Sequence, residues 1–337
     1  MSKSEIVFWS PDELTLDILQ AEAPENTDIT WVNSKLPFDE AVEALKDTIV
    51  LILGGEIPFT TELAAQCPNL RLVQSTSAGT NQLDKVGLGE LGVDVSNNGG
   101  GNAVSVAEHT IALMVSVFRK FQLQFGNVKN GTWMGDIKSD WFSQAYEITG
   151  KTVGIIGLGR IGSRVAKRLQ GWDCEIIFND VVDPDSDLVS KLNLRRVEIE
   201  ELLKTADIIS LHVPLNEQTR GMIGDDEFNI MKSTAVLINA CRGPVVDEKA
   251  FIRAMKENKI MAAGVDVLEV EPTPADNPLI EMDNVLITPH LAAFTQEAWQ
   301  KSRAFAVYNA VKVANGDDPE SIVMPNELMT GQTYFKD

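Results

Sequence analysis

The chain has 337 residues, 44% of them hydrophobic, and its 29 Lys and Arg against 49 Asp and Glu give a formal net charge of −20. That length and apolar share can fill more than one domain core, while the charge disfavours nucleic acid and anionic membrane surfaces as partners. Cys67, Cys174 and Cys241 show no C-x-x-C spacing, no apolar run nears the roughly 18 residues of a membrane span, and MSKSEIVFWS carries no secretory h-region, so a reducing cytoplasm is expected, with no disulfide framework and no metal site.

Strands are predicted at 6–9, 29–32, 48–53 and 70–74, with helices at 13–19, 38–45 and 61–65. This alternation predicts a parallel sheet flanked by helices. Residues 6–74 hold no G-x-G-x-x-G, so these strands and helices are not expected to grip a pyrophosphate in that way. Ser75-Thr76-Ser77-Ala78-Gly79-Thr80-Asn81 follows the last strand; its backbone N–H groups can face a ligand, or it is an ordinary turn. Asn97-Asn98-Gly99-Gly100-Gly101-Asn102 is the clearest break and sets a domain boundary at 100–104. Apolar residues at Val106, Ile111, Leu113, Met114, Val117 and Phe118 then predict one long helix over 104–125. Trp133 and Trp141 stand in the polar stretch beyond it, as packing or interface anchors.

Residues 151–180 are the centre of the chain. Strand 153–156 leads into Gly157-Leu158-Gly159-Arg160-Ile161-Gly162, then a helix through Val165, Ala166 and Leu169, a strand at 176–178, and Asp180. Gly157 permits a tight turn, Gly159 lets a pyrophosphate approach the backbone, and Gly162 lets helix and strand pack closely. The helix N-terminus offers free N–H groups to phosphates, and Asp180 can accept hydrogen bonds from a ribose. The other reading is a βαβ unit whose glycines serve packing alone.

Beyond Asp180, strands are predicted at 207–211, 235–239, 262–267 and 285–288, and helices at 199–203, 225–231, 247–258 and 296–314; the tail from Gly331 is expected to be loose. Ligands of a doubly wound sheet bind outside the carboxyl ends of its strands. Those ends carry His212, Arg242, Glu269 with Glu271, and His290. Arginine suits a carboxylate clamp and histidine a proton transfer near neutral pH. Arg242 is the candidate clamp and His290 the candidate acid–base group, with Glu271, just before Pro272, better fixed than Glu269 to orient it. His109 reads as structural, and His212 as a wall of the cofactor pocket.

Gly157 to Gly162, His212-Val213-Pro214-Leu215, Asn239-Ala240-Cys241-Arg242-Gly243, Asp266-Val267-Leu268-Glu269-Val270-Glu271-Pro272 and Thr288-Pro289-His290 stand in an order that resembles the D-isomer-specific 2-hydroxyacid dehydrogenases over nearly the whole chain. The resemblance implies two Rossmann-like doubly wound parallel-sheet α/β domains with an active-site cleft between them. A flavodoxin-like substrate-binding domain would comprise 1–103 plus 293–337, and an NAD-binding domain 104–292, with Val106-Ala107-Glu108-His109 opening the inter-domain helix. It implies NAD as cofactor and hydride transfer at the second carbon of a small 2-oxo or 2-hydroxy acid, glyoxylate or hydroxypyruvate first. Arg242, Glu271 and His290 would be the catalytic set, and amides of Ser77, Ala78 and Gly79 would take the substrate carboxylate with Arg242. Gly157, Gly159, Arg160, Ile161, Gly162 and Asp180 would hold the dinucleotide, His212, Val213, Pro214, Ala240 and Cys241 would line its pocket, and Asp266 would face the nicotinamide. A homodimer through the cofactor domain is implied, with the Trp-bearing loop 133–141 near the partner's site. Phosphite dehydrogenases share the Cys-Arg-Gly wording but carry lysine where this chain has Ala78, which argues against phosphite oxidation. The competing reading is an NAD(H)-sensing scaffold like the family's co-repressors, against which stands the lack of long disordered extensions.

Overall fold

The computed structural model describes residues 5–133 and 145–323; Trp141 and the tail from Gly331 lie outside the described residues. The chain divides into two compact units, one reaching Asn102 and resuming at Phe294, the other running from Ala103 to Ala293.

In the first unit β1 (Ile6–Ser10), α1 (Leu16–Glu22), β2 (Ile29–Asn33), α2 (Phe38–Leu45), β3 (Val50–Leu53), α3 (Thr61–Ala64), β4 (Leu72–Ser75), α4 (Lys85–Glu90) and β5 (Asp94–Ser96) alternate. The sheet is wholly parallel, ordered β2-β1-β3-β4-β5. Successive strand residues serve opposite faces: Val7, Trp9, Leu51 and Leu53 pack with Leu45 and Leu63, whereas Ile6, Phe8, Val50 and Ile52 pack with Leu19. Covering both faces is why these strands read as unbroken apolar runs. Each fully buried Leu, Ile or Phe contributes about 1.5–3 kcal/mol over exposure. α4 and β5 have no counterpart among the predicted elements. Gly87 and Gly89 dilute the helical signal of α4, which Asp84 nevertheless caps by accepting from Gly87 N at 3.0 Å.

The second unit opens with α5 (Ala103–Phe118) and α6 (Phe121–Lys129). The single helix expected over 104–125 is thus two. Lys120 turns left-handed at φ 54°, and Tyr146 N donates to the Phe118 carbonyl at 3.0 Å, so an outside amide takes a carbonyl of the last turn. Apolar spacing continues through the break at Leu123 and Phe125, which is why periodicity did not reveal it.

There follow β6 (Thr152–Ile156), α7 (Arg160–Arg168), β7 (Glu175–Asn179), α8 (Ser186–Lys191), β8 (Arg195–Arg196), α9 (Ile199–Thr205), β9 (Ile208–Leu211), α10 (Asp225–Ile230), β10 (Val236–Asn239), α11 (Glu248–Lys256), β11 (Ala262–Val265) and β12 (Val285–Ile287). The seven parallel strands run β12-β11-β10-β9-β6-β7-β8, so the winding reverses at β6. That reversal is where an open α/β sheet takes its ligand.

The last helix, α12 (Gln296–Ala314), belongs to the first unit, where Ala306, Val307, Ala310 and Val313 join the face of Ile6 and Phe8. Among the described residues no helix is long and apolar enough to cross a membrane.

Candidate active site

Strand register sets the positions of the second unit's site residues. Ile156, Asn179, Leu211, Asn239, Val265 and Ile287 pair in one row across six strands. The chain leaving that row delivers Gly157, Asp180, His212, Ala240, Asp266 and Thr288 along one edge of the sheet.

At β6 the turn needs its glycines. Gly157 has φ +92°, and a Cβ there would lie 2.7 Å from the carbonyl oxygen of His212. A Cβ on Gly162 would overlap the Gly157 carbonyl, so α7 can begin this close to the strand only without one. The Asp180 carboxylate folds back onto the turn and accepts from Leu158 N at 2.6 Å and Val182 N at 2.9 Å. His212 meets Ser210 Oγ through Nε2 at 2.8 Å, while its Nδ1 is buried with no partner. The residue is half-buried overall, yet burial of the ring pushes its pKa from 6.5 down to about 3, so the ring is neutral. Ala240 packs with Val106 and Ala292, and Ile161 lies against them. Turn, helix N-terminus and carboxylate together fit a dinucleotide pyrophosphate and ribose.

At β10, Asn239 builds the turn that presents Arg242. Its Oδ1 accepts from Cys241 N at 3.0 Å and from the Cys241 thiol at 3.1 Å, and its Nδ2 donates to the Arg242 carbonyl at 3.1 Å. Burial drives the Cys241 thiol up to about 11, so it stays protonated and serves as a donor. A Cβ on Gly243 would overlap the Leu268 carbonyl, so the loops after β10 and β11 touch backbone to backbone.

Leu268 N in turn donates to Glu271 Oε1 at 3.0 Å, and Glu271 Oε2 meets His290 Nδ1 at 2.6 Å. Glu269 plays no part in that pair; its N–H donates to Glu248. His290 is left-handed at φ 57°, a conformation that costs a non-glycine residue about 1–2 kcal/mol. Its N–H donates to the carbonyls of Asp266 at 2.8 Å and Thr288 at 3.0 Å.

The Asp266 carboxylate is the buried anchor of this loop, its side chain 1% exposed. Oδ1 accepts from Thr288 Oγ1 at 2.6 Å and Leu291 N at 3.0 Å, and Oδ2 from Ala292 N at 2.9 Å. Because the Thr288 hydroxyl gives its hydrogen to Asp266, it accepts from Nε2–H of His109, 3.0 Å away. His109, read from sequence as structural, and Thr288, which stood only inside a motif, therefore join the loop that carries His290. The one signal for them was their place beside motif residues.

In the first unit the loop after β4 places Ala78 half-buried and Gly79 buried, and neither N–H meets a protein acceptor among the described residues. Ser77 differs: its N–H donates to Ser75 Oγ at 3.0 Å. Lys85 Nζ donates to the Thr80 carbonyl at 3.1 Å and braces the loop's far end.

The family model for the D-isomer specific 2-hydroxyacid dehydrogenase NAD binding domain matches residues 111–292. The D-3-phosphoglycerate dehydrogenase of Methanocaldococcus jannaschii is 37% identical over 88% of this chain, which spans 55% of that relative's length. The glyoxylate reductase of Korarchaeum cryptofilum is 32% identical over 93% of this chain and 90% of its own. The holo D-mandelate dehydrogenase of Rhodotorula graminis superposes with a TM-score of 0.84 over 95% of this chain and 98% of its own; at 24% identity that is a likeness of fold alone.

Proposed function

The chain belongs to the D-isomer-specific 2-hydroxyacid dehydrogenases, and from that premise we propose that it is an NAD-dependent oxidoreductase of small 2-oxo and 2-hydroxy acids of D stereochemistry. The 157–162 turn and Asp180 would hold a nicotinamide dinucleotide, which when bound would supply or take the hydride at the substrate's second carbon. The observation that carries the reading is the 2.6 Å pair of Glu271 and His290, interlocked through Leu268 with the loop of Arg242.

With Nδ1–H given to Glu271, His290 keeps Nε2 for the substrate. As imidazolium it gives its Nε2 proton to the carbonyl oxygen in reduction, and as neutral imidazole it takes the hydroxyl proton on Nε2 in oxidation. Glu271 fixes the ring's orientation through its contact with Nδ1. Arg242 offers a planar fork to substrate carboxylate and carbonyl oxygen, polarising the latter. Ala78 and Gly79 present free N–H groups for the carboxylate, and Ser77 contributes position rather than a donor.

The test is NADH oxidation by the purified protein with glyoxylate, hydroxypyruvate, pyruvate, phenylpyruvate and 2-oxoisocaproate. Glyoxylate comes first because the Korarchaeum relative, matched over most of both chains, is a glyoxylate reductase by name. His290→Ala should lower kcat by about 10²–10⁴ while NADH still binds. Near-normal turnover in that variant would remove His290 from the chemistry. Tight NADH binding without turnover of any 2-oxo acid would favour a sensing scaffold.

A further inference from the structure

Arg303 of α12 is 8% exposed and has no carboxylate partner among the described residues. Its guanidinium stacks 3.4 Å over the Trp299 ring, Nη1 donates to the Trp299 carbonyl at 3.3 Å, and Nε is buried with no acceptor. The contrast within the chain is sharp. Arg168, Arg195, Arg196 and Arg253 lie nearer the surface, and each pairs with a carboxylate. In a protein of net charge −20, carboxylates are plentiful, yet among the described residues none is placed on the buried Arg303. An unpaired buried cation is unfavourable, and a face-on aromatic ring offsets only part of that. Burial pulls the guanidinium down to about 10, which still leaves it charged at neutral pH.

Its place in the fold is informative. Arg71, just before β4, donates to the Val313 carbonyl at 3.0 Å, Asn309 Nδ2 donates to Gln74 Oε1 within β4 at 2.7 Å, and Asn98 Nδ2, beyond β5, donates to Ser302 Oγ at 3.2 Å. α12 thus runs against the strands, and its first turns lie at their carboxyl ends, where an open α/β sheet binds ligands. Asn98 N also donates to the Ser77 carbonyl at 3.1 Å, so one residue ties the loop of Ala78 and Gly79 to the turn that carries Arg303.

We infer that Arg303 is the receptor for a second anionic group on the substrate, a carboxylate or phosphate borne away from the 2-oxo acid end. The inference rests on the proposed function and narrows it to dianionic 2-oxo acids. Trp299 supports the guanidinium over its ring, and the planar fork of an arginine is the group that a carboxylate or phosphate matches.

The test compares wild type, Arg303→Met and Arg303→Lys on glyoxylate and pyruvate against 2-oxoglutarate, oxaloacetate and 3-phosphohydroxypyruvate. The last separates phosphate from carboxylate. Met keeps the length of the stem and its packing without the charge, and Lys keeps charge without the fork. Arg303→Met should lower kcat/KM for the preferred dianion by about 100-fold and leave the monoanions within about threefold, with Lys in between. Thermal stabilisation by malonate and by inorganic phosphate supplies a readout that needs no turnover: wild type should respond, and Arg303→Met should not. Equal losses on monoanions and dianions, or wild type without preference for any dianion, overturn the inference and leave the proposed function standing. Arg303-dependent anion binding without turnover of any 2-oxo acid keeps the receptor and removes the proposed reaction. If Arg303→Met does not fold, a Lys variant with wild-type anion response and wild-type selectivity overturns the role of the fork.

Discussion

Asp266→Asn tests how His290 is held. The carboxylate satisfies three donors: Thr288 Oγ1 and Leu291 N on Oδ1, and Ala292 N on Oδ2. An asparagine keeps one acceptor oxygen, and its NH₂ faces a group that can only donate. Either Ala292 N–H or Leu291 N–H then loses its acceptor, at about 1–3 kcal/mol for each buried donor left unmet, and the Thr288 hydroxyl must turn to accept from the NH₂ in the second case. The left-handed backbone of His290 itself stores about 1–2 kcal/mol. The two quantities are of the same size, so the substitution is enough to let the loop relax and draw the imidazole from Glu271. A displacement of about 1 Å at a reacting group lowers turnover by about 100-fold, which is the expected loss in kcat. The assay is steady-state NADH oxidation with the best 2-oxo acid, paired with a fluorescence titration of NADH. Acting through the loop, Asp266→Asn lowers kcat while the Kd for NADH stays within about threefold. A normal kcat with a raised Kd would place the carboxylate on the cofactor and refute the reasoning.

His212 makes a second prediction, about acid stability. Its folded pKa is near 3 against 6.5 when exposed, so below pH 6.5 the unfolded chain binds a proton that the folded chain refuses. Stability from this group is complete above pH 6.5 and falls toward pH 3, by up to about 1.4 kcal/mol per pH unit. Urea midpoints of His212→Gln should fall less steeply than wild type between those limits, and parallel curves would refute the burial argument. A homodimer is expected because α6 buries none of its residues and leaves Phe125 65% and Val128 58% exposed. Sedimentation velocity should give twice the chain mass, and Phe125→Asp should shift it toward monomer; a monomeric wild type at micromolar concentration removes the expectation.

The fold was legible wherever strands are covered on both faces, because a run such as Ile49 to Leu53 has no polar position to disguise it. Legibility failed where short elements are built by backbone circumstance. β8 is two exposed arginines, recognisable only from their pairing with Ile177 and Phe178. α4 carries two glycines and is held by an aspartate cap. α1 begins at Leu16, three residues later than apolar spacing suggested, since residues 13–15 share the spacing without entering the helix. For β8 local composition is neutral and pairing with β7 decides.

The site divides along the same line. Arg242, Glu271 and His290 could be picked out because their chemistry is rare at strand ends and each stands beside a residue that fixes its backbone. What could not be read is which buried group holds which. Asp266 looks in sequence like another strand-end acid, and only the folded loop shows its carboxylate gathering Thr288, Leu291 and Ala292. His109 lies more than a hundred residues from Thr288, and helical periodicity assigned it to packing. Arg303 is the extreme case. Next to Lys301 and Ser302 it reads as a solvent-facing charge on a long helix, yet it falls on the buried face with Val307 and Ala310. A charged residue on the apolar stripe of a helix is the kind of local conflict that folding alone does not favour. Where the conflict persists with no carboxylate among the described residues to answer it, a ligand that completes the pair is its physical explanation.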